Sequence, residues 1–71
     1  MPDVRFYVAT KDRAYGKWKR VSDHHDPDAA VAKAKTLKGF EVAVFVVGDT
    51  KDLMYWTSKY PKLVNKEVLR G

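Results

Sequence analysis

The sequence contains no cysteine and no long apolar run. Without cysteine there are no disulfides, and the composition is typical of a reducing compartment. The longest apolar run, residues 42–47, is far shorter than the roughly 20 residues that a membrane-spanning helix needs. The first five residues also lack the basic region followed by an apolar segment that marks a signal peptide. We therefore expect a cytoplasmic protein with no membrane partner.

Sequence patterns for catalysis, metal binding and phosphate binding are also missing. The four glycines stand far apart, so none belongs to a phosphate-binding loop. The two histidines, His24 and His25, are adjacent in a loop-like acidic cluster, and adjacent side chains usually diverge rather than converge on one metal ion. Ser22 lies near His24, but no nucleophile elbow accompanies it. We expect a protein that is not an enzyme and has no catalytic residues, metal, cofactor or small-molecule substrate.

The composition is that of one small, basic, folded domain. The 71 residues leave room for a single core, so residues 1–71 form one domain. Hydrophobic residues make up 45% and aromatic residues 13%, which is more than a disordered chain contains. Fourteen basic and nine acidic residues give a net charge of +5, which favours an anionic partner.

The first third of the chain predicts a β-hairpin. Residues 4–10 alternate apolar and polar positions and are rich in β-branched and aromatic residues. Residues 17–22 form the expected partner strand, in which Trp18 shares a face with Arg20. Gly16, in the connecting loop, supplies the positive φ that such loops usually need. The many charges of the second strand indicate an edge strand that resists further pairing.

The most clearly marked element is a helix that follows this hairpin. Asp26 is a good N-cap, Pro27 fits the first helical position, and Asp28 complements the helix dipole. Residues 29–38 are strong helix formers, and Gly39 marks the end. A stripe of small and apolar side chains predicts the face that packs on a sheet; it consists of Ala30, Ala34 and Leu37, with Val31 on its flank.

Two further strands complete the expected fold. Residues 40–47 are apolar on both faces, as in a central strand, and residues 53–57 return after a turn at 48–52. Pro61 is a candidate start for a short C-terminal helix that contains Leu63 and Val68. We predict an α+β fold, ββαββ, with a four-stranded, mainly antiparallel sheet in the order 2-1-3-4 and the main helix packed on one face. Connection rules also permit the order 1-2-3-4.

The hairpin is the leading candidate for function. Its basic residues can neutralise phosphates, and its aromatic rings can stack on unpaired bases. This pattern predicts a nucleic-acid-associated regulatory or accessory factor, although charged residues on an edge strand also serve simply to prevent aggregation. The candidate nucleic-acid contacts are Arg5, Arg13, Tyr15, Lys17, Trp18, Lys19 and Arg20.

An alternative is a protein-interaction module or a homodimer. If the helix covers one face of the sheet, Phe45 and Val47 lie on the other, which the C-terminal segment or a second copy of the chain would have to cover. The aromatic segment 54–61 is a second candidate surface, because aromatic and Met residues are enriched at interfaces. The candidate protein contacts are Phe45, Val47, Met54, Trp56 and Tyr60.

Overall fold

The computed structural model describes residues 4–65. Four strands and one helix follow one another as β1 (Phe6–Lys11), β2 (Lys19–His24), α1 (Pro27–Lys35), β3 (Glu41–Val46) and β4 (Leu53–Thr57). The strands form one sheet in the order β2-β1-β3-β4, and every neighbouring pair is antiparallel. The predicted α+β, ββαββ fold and the order 2-1-3-4 are therefore confirmed, and the alternative order 1-2-3-4 is wrong.

Helix α1 begins where the sequence predicts and ends three residues earlier. The carboxylate of Asp26 accepts a hydrogen bond from the Asp28 N–H at 3.2 Å, and Pro27 occupies the first turn. At the other end Thr36 is the cap, because its hydroxyl donates to the Lys33 carbonyl at 2.7 Å and its N–H bonds to the same oxygen. Within residues 4–65 no helix is long and apolar enough to cross a membrane.

The core lies between α1 and one face of the sheet. The helix contributes Ala30 and Ala34, which are 0% and 1% exposed, so its backbone approaches the sheet closely. Val31 and Leu37 pack at its sides, as the apolar stripe predicts. The sheet contributes larger side chains from its two central strands, namely Phe6, Val8, Val42, Val44 and Val46.

A β-bulge in β4 changes which aromatic residues enter this core. Val44 pairs with Trp56 and Phe45 pairs with Met54, which leaves Tyr55 as an extra residue between them. Consequently Tyr55 and Trp56 both belong to the helix-side core, at 5% and 3% exposure. Strict alternation along β4 would place Tyr55 and Trp56 on opposite faces, but alternation does not hold across the bulge.

A second bulge lies in β2, which starts and ends two residues later than predicted. Val8 pairs with Ser22 and Ala9 pairs with Arg20, so Val21 is the extra residue and is 44% exposed. The loop between β1 and β2 consequently comprises residues 12–18. Its length is set by the hydrogen-bonded register, which the sequence pattern does not reveal.

The segment after β4 packs beside the helix-side core. Its described part forms turns and irregular structure instead of the start of a helix. Val64 packs against the core, the Asn65 N–H donates to the Tyr55 carbonyl at 3.0 Å, and the Trp56 indole N–H donates to the Pro61 carbonyl at 3.0 Å. The rest of the expected C-terminal helix, residues 66–70, lies outside the described residues.

Two glycines provide a matched test of this fold. Replacing Gly48 by Ala would drive the new Cβ into the Lys51 carbonyl oxygen in the β3–β4 turn, whereas a Cβ at Gly39 comes no closer than 3.4 Å to any atom. Neither glycine has a positive φ, so the two substitutions differ only in the atoms that the new Cβ would meet. We expect Gly48→Ala to lower the free energy of unfolding by about 1–3 kcal/mol.

Urea unfolding followed by circular dichroism measures both variants. Gly39→Ala should be neutral or slightly stabilising, because Ala restricts the unfolded chain without strain in the folded one. Equal stability of the two variants would contradict the turn geometry described for Gly48.

Candidate nucleic-acid interface

The sheet face opposite α1 carries three aromatic rings, of which the Phe45 ring contacts the other two. Tyr7 of β1 pairs with Phe45 of β3, and their rings stack at a centroid distance of 5.2 Å and an angle of 24°. The Trp18 indole meets the Phe45 ring edge-on at 5.3 Å and 77°. All three residues are half-buried. We refer to Tyr7, Trp18 and Phe45 as the open-face cluster.

Two buried alanines are next to the open-face cluster on the same face of the sheet. Ala9 and Ala43 pair directly beside Tyr7 and Phe45, and both are 0% exposed. Trp18 immediately precedes β2, and its indole reaches Phe45 of β3 although β1 lies between these two strands. The rings are therefore placed by the sheet itself and lose little freedom when something binds to them.

A cation lies over each end of the open-face cluster. The Arg20 guanidinium carbon is 4.4 Å from the Tyr7 ring centroid, and the Lys11 ammonium is 4.7 Å from the Trp18 ring centroid. Both distances are within the range of cation–π attraction. Arg20 also donates from Nε to the Asp23 carboxylate at 2.7 Å, so its guanidinium is shared between a ring and an acid.

A buried carboxylate anchors the Lys11 end of this face. Glu41 is 4% exposed, and its Oε2 accepts a hydrogen bond from the Thr57 hydroxyl at 2.6 Å. Its Oε1 lies 3.4 Å from Lys11 Nζ and 3.5 Å from Lys59 Nζ. Burial by itself raises the pKa of Glu41, but the Thr57 hydroxyl and the two lysines outweigh it and hold the pKa below the ordinary value of 4.5. One negative charge thus faces two positive ones.

Tyr7 is tied to the turn between β3 and β4. Its hydroxyl donates to Asp52 Oδ2 at 2.6 Å, while Asp52 Oδ1 accepts from the Gly48 N–H at 3.3 Å. Burial, together with the bond to Asp52 and its negative charge, raises the pKa of Tyr7 to about 12, although Arg20 acts in the opposite direction. The hydroxyl therefore keeps its proton, and its bond to Asp52, throughout the neutral range.

Residues 12–17 of the loop between β1 and β2, which we call the hairpin loop, present an isolated ring. The Gly16 N–H donates to the Arg13 carbonyl at 3.0 Å and closes a turn in which Tyr15 is 100% exposed. Arg13 and Lys17, on either side of it, are exposed. Gly16 does not have the expected positive φ; a Cβ there would lie 3.1 Å from Arg13 Cγ and 3.2 Å from the Arg13 carbonyl oxygen, which is a tight contact.

The predicted nucleic-acid contacts consequently fall into separate groups. Arg13, Tyr15 and Lys17 belong to the hairpin loop, and Trp18 and Arg20 belong to the open face. Lys19 pairs with Thr10, which places it on the helix side of the sheet, where it lies 3.9 Å from Asp12. Arg5, which is exposed, precedes β1 and by alternation shares the face of Tyr7.

Three participants of the open face were missing from that predicted set. Tyr7, Lys11 and Phe45 join Trp18 and Arg20 there. The alternation of β1 places Tyr7 and Lys11 on one face and could have identified them. The contact between Trp18 and Phe45 joins distant parts of the chain, and no local pattern carries it.

The candidate protein contacts are also divided. Phe45 and Met54 pair across β3 and β4 and are half-buried on the open face, and Val47, at 41% exposure, lies at its end. Tyr60 is 63% exposed on the segment after β4. Trp56 is buried in the core, so its expected place on this surface is wrong.

The histidine segment forms a local hydrogen bond at the end of β2. Ser22 Oγ and His24 Nε2 are 2.8 Å apart. Among residues 4–65 no hydrogen bond joins His24 to a carboxylate, which is the group that would orient it as a catalytic base. The described part of the chain also contains no group of three His, Cys, Asp or Glu residues that could hold a metal ion.

Replacing Glu41 by Gln tests the buried carboxylate. At neutral pH we expect the free energy of unfolding to fall by about 1–3 kcal/mol, because Lys11 and Lys59 lose their acid partner. In the wild type the pKa is lower in the folded than in the unfolded chain, so this stabilisation is complete above pH 4.5 and disappears as the pH falls through the folded pKa.

Urea unfolding over a series of pH values measures this difference. The stabilities of the wild type and Glu41→Gln should converge in acid, with Asp49→Asn, which removes an exposed acid of the β3–β4 turn, as a charge-matched control. A gap that stays constant down to strongly acidic pH would show that the charge of Glu41 does not stabilise the fold.

Comparison with known proteins supplies no function for this arrangement. No protein-family model matches the chain, and no curated protein or solved structure matches it at a significant level. The function therefore has to be argued from the open face and the hairpin loop themselves.

Proposed function

We propose that the chain is a small, cytoplasmic, non-enzymatic protein that binds nucleic acid through its hairpin loop and acts as a regulatory or accessory factor. The observation that carries this proposal is the fully exposed Tyr15 ring, which stands between the exposed cations Arg13 and Lys17. An exposed ring between cations suits a polymer in which bases alternate with phosphates.

The charges of the hairpin loop support this proposal. In the described part of the chain neither Arg13 nor Lys17 forms an ion pair, so neither has to give up an acid to meet a phosphate. The one acid of the loop, Asp12, lies 3.9 Å from Lys19, and both are exposed, which makes that pair weak. A concave surface is lined by Lys19 of β2 and by five residues of the loop, namely Asp12, Arg13, Tyr15, Gly16 and Lys17.

A second candidate function is association with a protein, including a second copy of the chain. The observation that favours it is the apolar character of the open face around Phe45, Val47 and Met54. The described part of the C-terminal segment, which was the expected cover for this face, packs on the helix-side core instead. Sedimentation at several concentrations distinguishes a dimer from a monomer.

Paired charge variants test the nucleic-acid proposal. We expect Arg13→Ala/Lys17→Ala to weaken binding to labelled oligonucleotides and to reduce the slope of log affinity against log salt by about 1.4 for single strands, because two phosphate contacts are lost. The control is Lys33→Ala/Lys35→Ala, which removes the same charge from exposed positions on α1.

Fluorescence anisotropy at several salt concentrations provides both quantities. The control should keep the wild-type slope. Equal losses in both double variants would mean that net charge alone drives binding, and an unchanged affinity of Arg13→Ala/Lys17→Ala would remove the hairpin loop from the interface.

A further inference from the structure

We infer that the open-face cluster is a base-stacking site, and that the nucleic acid held by the hairpin loop is single-stranded. This inference rests on the proposed function and names the form of the ligand. Its starting point is the row of contacts across the sheet, in which Arg20, Tyr7, Phe45, Trp18 and Lys11 follow one another.

Several ring faces of this cluster are already occupied: Tyr7 is stacked with Phe45 and has the Arg20 guanidinium over it, and Trp18 has the Lys11 ammonium over it. Phe45 contacts both Tyr7 and Trp18, and the fully buried pair Ala9 and Ala43 is next to Tyr7 and Phe45 on the same face, so the rings are in place before a ligand arrives. Unpaired bases stack on aromatic rings and on guanidinium planes, and Arg20 provides such a plane beside Tyr7. A base can therefore stack on the Arg20 guanidinium plane at one end of the cluster and on the Trp18 indole, in place of Lys11, at the other.

The dimensions of the face favour a single strand. Four adjacent strands span about 14 Å between the outer two, which is wider than the roughly 12 Å major groove of duplex DNA. Along β1, Tyr7 and Lys11 are four residues apart, about 13 Å, which exceeds the rise of one stacked nucleotide, about 3.4 Å. The face can therefore hold more than one nucleotide, but a duplex cannot bring its bases to it.

The Lys11 end of this face carries excess positive charge, whereas at the Arg20 end the carboxylates of Asp23 and Asp52 accompany the guanidinium. Lys11 and Lys59 share the single carboxylate of Glu41, which leaves one positive charge in excess at that end. At the other end Asp23 is bonded to Arg20 and occupies a position that a phosphate oxygen would take. Asp23 is therefore a competitor of the ligand.

Binding of oligothymidylate, oligouridylate and a duplex of equal length tests the stacking site. Trp18→Leu and Phe45→Leu keep an apolar side chain over the alanines but remove a ring. We expect each to weaken single-strand binding at least about fivefold and to leave duplex binding unchanged. Tyr60→Leu removes an exposed ring outside the cluster and should bind as the wild type does.

A variant that gains affinity provides a test that unfolding cannot imitate, because a protein that fails to fold only loses binding. Asp23→Asn should bind single strands severalfold more tightly, because Arg20 is released from its acid. Asp49→Asn, which removes an exposed acid from the β3–β4 turn, is the charge-matched control and should gain less.

The outcomes distinguish this inference from the proposed function. If Trp18→Leu and Phe45→Leu bind single strands normally while Arg13→Ala/Lys17→Ala does not, the stacking site is overturned and the hairpin loop remains the interface. If the wild type binds neither form of nucleic acid, both are overturned. A dimer that dissociates in Phe45→Leu, without nucleic-acid binding, would assign the open face to a second copy of the chain.

Discussion

The antiparallel pairing of β1 with β3 is the constraint on which the rest of the structure depends. Its register is uninterrupted from Phe6 opposite Val46 to Lys11 opposite Glu41. Because side chains alternate, this one register directs Val8 and Val44 toward α1 and places Ala9 beside Ala43 on the other face. A slip of one residue would exchange the helix-side core with the open-face cluster. Both the stability of the chain and its candidate site are therefore fixed by the same set of backbone hydrogen bonds.

Much of the fold could be predicted because short local sequence signals mark its elements. Asp26 and Pro27 mark the start of α1, alternation marks the central strands, and the charged second strand fits only an edge. The bulges at Val21 and Tyr55 could not be predicted, since each depends on how a partner strand is paired. The end of α1 differs for a local reason: the hydroxyl of Thr36 competes for the last carbonyls of the helix.

The positive charge of the candidate site could be predicted from the sequence, but the contacts that bring its aromatic rings together could not. The concentration of basic residues before residue 21 identifies the hairpin, and the exposed Tyr15 follows from its position between strands. The contact of Trp18 with Phe45 joins the loop before β2 to β3, and these strands are not neighbours in the sheet. Trp56 shows the converse, because a bulge moves it from the expected surface into the core.

The different environments of the two tryptophans have a practical consequence. Trp56 is 3% exposed in the helix-side core, with its indole N–H bonded to a carbonyl, whereas Trp18 is half-buried under an ammonium group on the opposite face. The polarity around an indole governs its emission, so the chain contains two intrinsic optical probes separated by the thickness of the sheet. One reports on the integrity of the core and the other on events at the outer surface, and replacing either residue with phenylalanine isolates the signal of the other.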